Sequence, residues 1–127
     1  MKTFLIEIDI YHTDIAVNFG DVDELINWMG KHNVTDKEIE IFEDSLTSNL
    51  EGITMNLECG TIVLFIKDLP ETPKSKDFLA HEIFHAACMI MQNKGITLDT
   101  SSEEAFAYLI GNITRKIHEK LDKINNK

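Results

Sequence analysis

The run "SSEEAFAYLIGNITRKIHEKLDKI" near the end of the chain places Phe106, Ile110, Ile113, Ile117, Leu121 and Ile124 at a 3.6-residue spacing. A helix this long with one apolar stripe has to be covered by another element, so the chain must build a hydrophobic surface for it. The segment just before supplies a second helix. Pro70 and Pro73 break the chain, Thr72 offers a cap with Pro73 in the first helical position, and a helical run to Lys94 meets a stop at Gly95. Only "ITLDT" separates the two, which predicts a pair of long helices joined by a tight connection.

The first half alternates differently. "TFLIEIDIY" and "DIAVNF" show the period of two and the β-branched and aromatic content of strands, with "HTD" between them, and read as a β-hairpin. "GDVDELINWMGKHN" offers Asp21 as a cap with Glu24 three residues on, which predicts a short helix ending near Gly30. "TDKEIEIFEDSL" fits a helix or a strand, with a short helix favoured. "ITMNL" and "TIVLFI" around "ECG" predict a second strand pair, the latter buried on both faces. No repeat or internal linker interrupts the 127 residues, so the reading is one α+β domain over 1–127, a small sheet followed by two helices.

Composition narrows the partners. A net charge of −10 with no block of Lys and Arg among 12 basic residues argues against nucleic acid. No segment has the apolar length of a membrane span, and Glu7 and Asp9 interrupt the one N-terminal run that mimics a signal peptide. Cys59 and Cys88 match no metal or redox spacing. Reduced thiols and a cytoplasmic location are expected, with a single Cys59–Cys88 bridge as the alternative.

The chemistry is concentrated in "FLAHEIFHAACMI", residues 78–90. His81 and His85 lie one helical turn apart on one face, with Glu82 projecting beside them, so two imidazoles can address one ion while a carboxylate stands ready to take a proton. Five histidines and twelve glutamates in this length predict only about 0.02 such H-E-x-x-H matches by chance. The bland alternative is a helix whose histidines bond to neighbouring polar groups. The apolar setting, "FLA" before and "AACMIM" after, counts against that alternative: it predicts two buried imidazoles and a carboxylate, which need partners that a metal provides.

Zinc in a catalytic site takes three protein ligands. A third ligand in an H-x-x-G-x-x-H continuation is excluded, since Cys88 and Met91 stand at those positions. The following helix offers Glu103 and Glu104. Either can instead close a capping box, Thr100 with Glu103 or Ser101 with Glu104, and Glu103 is nearer the centre of the Phe106/Ile110/Ile113 stripe.

The eighteen residues between His85 and Glu104, and the "EAFA" at 104–107, make residues 78–110 resemble the gluzincin zinc peptidases. The chain is also similar, more loosely, to small stand-alone HExxH proteins of phages and mobile elements. The gluzincin resemblance implies a zincin-like fold and Zn²⁺ held by His81, His85 and Glu104. It further implies Glu82 as the base in the hydrolysis of a peptide or similar amide bond, with an edge strand in the 53–66 region pairing with an extended peptide or protein substrate. Ala107 and Gly111 would let the last helix approach the histidine helix closely.

Tyr108 is the nearest candidate for the oxyanion-stabilising residue such enzymes carry. Its alternative is a half-buried helix tyrosine with its hydroxyl in water. A chain this short implies a narrow substrate range. The other reading is a regulatory or binding protein in which the metal is a staple or activity has been lost.

Overall fold

The structure, a computed structural model, describes residues 2–125. Strands β1 (Phe4–Ile8) and β2 (Thr13–Phe19) form the expected antiparallel hairpin, turned by a 3-10 segment at Asp9–Tyr11. Helices α1 (Val22–Lys31) and α2 (Asp36–Ser45) follow, then the hairpin of β3 (Gly52–Asn56) and β4 (Ile62–Ile66), then α3 (Pro73–Asn93) and α4 (Glu103–Asn125). The two hairpins join through parallel pairing of β2 with β4, with Ile15 opposite Ile62 and Phe19 opposite Ile66. The sheet order is therefore β1-β2-β4-β3, and β3 is an edge.

Alternation then divides the side chains between two cores. Ile62, Leu64 and Ile66 of β4 face α3 and α4, where they meet Leu79, Ile83, Ala86, Ala87, Ile90 and Met91 and the α4 residues Phe106, Leu109, Ile113, Ile117 and Leu121. Val63 and Phe65 face the other way, onto Leu25 and Met29 of α1 and Phe42 of α2, with Phe42 and Phe65 in edge-to-face contact. This places helices on both faces of a four-stranded mixed sheet. Every residue of β4 is buried, as its unbroken apolar run predicts, and each such side chain stabilises the fold by roughly 1.5–3 kcal/mol of transfer free energy. Among the described residues no helix is long and apolar enough to cross a membrane.

Local chemistry sets the helix ends. Asp21 caps α1 by accepting the Glu24 N–H, while the Glu24 side chain turns away to accept from Thr3 and Asn18. Thr35 and Glu38 form a complete capping box on α2, which resolves the ambiguous segment as a helix. Thr72 and Ser75 form another on α3, with Pro73 in its first turn. At the other end of α3, Gly95 adopts φ +73°. Its N–H bonds to the Gln92 carbonyl and that of Ile96 to Met91, the two bonds of a Schellman stop.

The start of α4 departs from expectation. Neither the Thr100–Glu103 nor the Ser101–Glu104 box forms. The Ser102 carbonyl takes the first helical bond, from Phe106, and the Asp99 carboxylate accepts from the Ser101 and Ser102 backbones and from the Ser101 hydroxyl. An aspartate upstream of the serines outcompeted the glutamates because its short side chain folds back onto the N–H groups two and three residues on.

These bonds, the Ser101 hydroxyl first, hold the Asp99 carboxyl below its ordinary value. A depressed folded-state pKa contributes stability that is present above the unfolded value and disappears as pH falls through the folded one. The Ser101 and Ser102 amides are therefore expected to lose hydrogen-exchange protection, relative to intrinsic rates, as the pH is lowered through the Asp99 titration. Unchanged protection would remove Asp99 as the anchor of this turn.

Candidate metal centre

Helix α3 buries Leu79, Ile83, Ala86, Ala87, Ile90 and Met91, and helical geometry puts His81 and His85 on its opposite side. The pair is exposed, with 64% of the His81 side chain open to solvent. The expectation of two buried imidazoles is thus corrected: the apolar stripe of this segment passes on either side of the histidine turn without including it. Only Glu82 of the three is buried, at 8% exposure.

The two rings nevertheless converge. Their Nε2 atoms stand 3.1 Å apart, with ring centroids 4.7 Å apart and planes at 77°. Two nitrogens bound tetrahedrally to one zinc at ordinary bond lengths lie about 3.3 Å apart, so the donor pair fits that ion. The nearer Glu82 oxygen, Oε2, is 3.8 Å from His81 Nε2. Among the described residues, His81, Glu82 and His85 form a group whose ligand atoms all lie within 4.8 Å of one another.

Glu82 is held from the sheet. The Thr54 hydroxyl on β3 lies 2.9 Å from Glu82 Oε1 and 3.2 Å from the Glu82 backbone carbonyl. One residue pair along the strand, Gly52 leaves room for the helix: a Cβ there would stand 3.0 Å from Glu82 Cγ, 2.9 Å from the Phe65 carbonyl oxygen and 2.8 Å from Ile66 Cδ1. Asn56, two residues further, exchanges paired amide bonds with Asn93 at 2.8 and 3.0 Å. Gly52, Thr54 and Asn56 are thus one face of β3 and all three meet α3. Period-two alternation in "GITMN" places them on one face, but nothing in the sequence says which helix residues they touch.

Glu103 and Glu104 both lie exposed in the first turn of α4, outside the 4.8 Å group. Glu103 flanks the stripe that packs α4 into the core. Glu104 stands roughly 160° round the helix from the centre of that stripe, on the outward side as the histidines are on α3. The close approach expected through Ala107 and Gly111 is corrected: both are exposed, and beyond the adjoining backbone of α4 itself nothing lies within 4 Å of a Cβ built on Gly111. The helices meet instead through the larger residues from Phe106 to Leu121.

Tyr108 is 74% exposed and lines an open groove of about 590 Å³ with Ile10, Tyr11, Asn112 and Arg115, a groove to which neither histidine contributes. Cys88, one turn after His85, is partly buried against the core, and burial pushes its thiol pKa up, which keeps it protonated. Cys59 is exposed, and neither cysteine is in a disulfide. No family model matches the chain, and no curated protein or solved structure matches it significantly.

Proposed function

We propose that the protein is a zinc-dependent hydrolase of peptide or similar amide bonds, built on a zincin-like arrangement of sheet and active-site helix. The observation that carries this reading is the convergence of His81 and His85 Nε2 beside a buried carboxylate that a strand hydroxyl holds in place. His81 and His85 would hold the ion. Glu104 would be the third ligand on its eighteen-residue spacing from His85, with Glu103 as the competing donor. When bound, zinc would lower the pKa of a water and polarise the substrate carbonyl.

Glu82 then performs the proton transfers. It accepts a proton from water as the new C–O bond forms and delivers it to the amine nitrogen as the C–N bond breaks. Tyr108, exposed in a groove to which neither histidine contributes, is kept as the oxyanion candidate on the resemblance alone.

The edge strand supports a peptide substrate. Bonds from Lys67 N–H to the Glu51 carbonyl and from Leu57 N–H to the Thr61 carbonyl fix the odd-numbered residues 51–57 as those whose backbone groups turn to β4. Gly52, Thr54 and Asn56 therefore present their N–H and C=O groups to the free edge, where an extended peptide would add a strand. β4, paired on both sides, drops out of the 53–66 platform.

The exposure of the histidines and the position of Glu104 favour one second reading, a binding or regulatory protein that uses a metal as a staple. Elemental analysis of wild type, His81→Ala, Glu103→Ala and Glu104→Ala tests the site under both. About one zinc per chain is expected in wild type, lost with His81→Ala and with one of the two glutamates. A wild-type protein without metal after incubation with zinc would dismiss both readings.

A further inference from the structure

We infer that Thr54 is a positioning residue for Glu82, and that it ties the docking of an extended peptide on β3 to the orientation of the base. The inference rests on the hydrolase reading above. A buried carboxylate can rotate about its last torsion, and the plane it takes sets whether an oxygen faces the histidine pair. The Thr54 hydroxyl donates to Oε1 at 2.9 Å, which fixes that torsion and leaves Oε2 as the oxygen 3.8 Å from His81 Nε2. Contact with the Glu82 carbonyl, at 3.2 Å, places the same hydroxyl against the helix backbone, so the strand and the base cannot shift independently.

The rest of the row shows that this contact is built for placement. Ile53 and Met55 turn to the core on the α1 and α2 side, and the α3-facing positions of β3 carry no large apolar side chain. Gly52 touches Glu82, Thr54 bonds it, and Asn56 is tied to Asn93, so β3 is located on α3 by polar contacts and a missing Cβ. Thr54 alone combines two roles. Its side chain holds Glu82 and its own N–H and C=O face the free edge of the sheet. A peptide that pairs with Thr54 as an added strand is thereby placed at a set distance from the base.

The test compares Thr54→Val, which keeps the branched shape and removes the hydroxyl, with Thr54→Ser, which keeps the hydroxyl. In Thr54→Val, metal content is expected to match wild type, kcat on a cleaved peptide to fall about 10- to 100-fold, and KM to change less than threefold. Thr54→Ser is expected to restore kcat to within about threefold of wild type. A crystal structure of zinc-loaded Thr54→Val is expected to show the Glu82 carboxylate rotated or in two orientations. That readout does not depend on turnover. If the carboxylate keeps its present orientation in the variant, or kcat is unchanged, the inference is overturned. If the carboxylate moves but wild type cleaves no peptide, the positioning stands and the hydrolase reading fails. Equal loss of metal, melting temperature and kcat in both variants would reduce Thr54 to a structural residue and overturn the proposal.

Discussion

Glu82→Gln is expected to leave the zinc content of the protein unchanged and to lower peptide hydrolysis about 10²- to 10⁴-fold. Glutamine has nearly the shape of glutamate and can still receive the Thr54 hydroxyl on its amide oxygen, so the strand contact survives. What disappears is the ability to take a proton from water. Neither histidine is touched, and Glu82 Oε2 stands 3.8 Å from the nearer of them, so metal capture is separable from proton transfer. A variant that keeps wild-type function, measured on whatever process the protein serves, would move the chain to the regulatory reading.

Gly52→Ala is expected to destabilise the protein by about 1–3 kcal/mol, a loss of roughly 5–10 °C in Tm, and to lower hydrolysis beyond what partial unfolding explains. The added methyl meets three neighbours. Ile66 Cδ1, at 2.8 Å, is the end of a flexible side chain and can yield, but the Phe65 carbonyl at 2.9 Å belongs to the sheet and Glu82 Cγ at 3.0 Å to a helix packed on it. Relief must therefore shift β3 against both β4 and α3 beside the base. The same substitution at Gly111, in the middle of α4 with open space around it, is expected to raise stability by about 0.5–1 kcal/mol. Thermal melts of the two variants read both outcomes. A Gly52→Ala protein as stable as wild type would mean that the strand and helix are not in close contact.

Most of the elements were legible in the sequence because each carried its own local signal. The cap near Thr72, the Gly95 stop, the apolar run of β4 and the 3.6-residue stripe of α4 all act over a few residues, whereas the Thr35/Glu38 box goes unread and leaves its segment open between helix and strand. The parallel pairing of β2 with β4 carried no such signal, since strand order depends on which hydrophobic faces the helices cover. The same division holds at the site. The His81–Glu82–His85 cluster follows from helix geometry alone, whereas Thr54 and Gly52 become visible only when β3 is laid against α3. Burial was misjudged for a related reason: "FLAHEIFHAACMIM" is apolar on average, but its buried residues follow one side of the helix, and the histidines lie outside that stripe with the exposed Phe84.

Thr54 and Glu82 are 28 residues apart in the chain, and His81 and His85 only four. The two halves of the centre therefore belong to different stages of folding. A helical turn forms in well under a microsecond and brings both imidazoles together with it, before any sheet exists. The hydroxyl reaches the carboxylate only after the β3–β4 hairpin has docked on α3, a contact of higher order that waits on closure of a long loop. On the proposed reading, a nascent or partly unfolded chain would therefore acquire the donor pair for an ion ahead of the contact that orients the base.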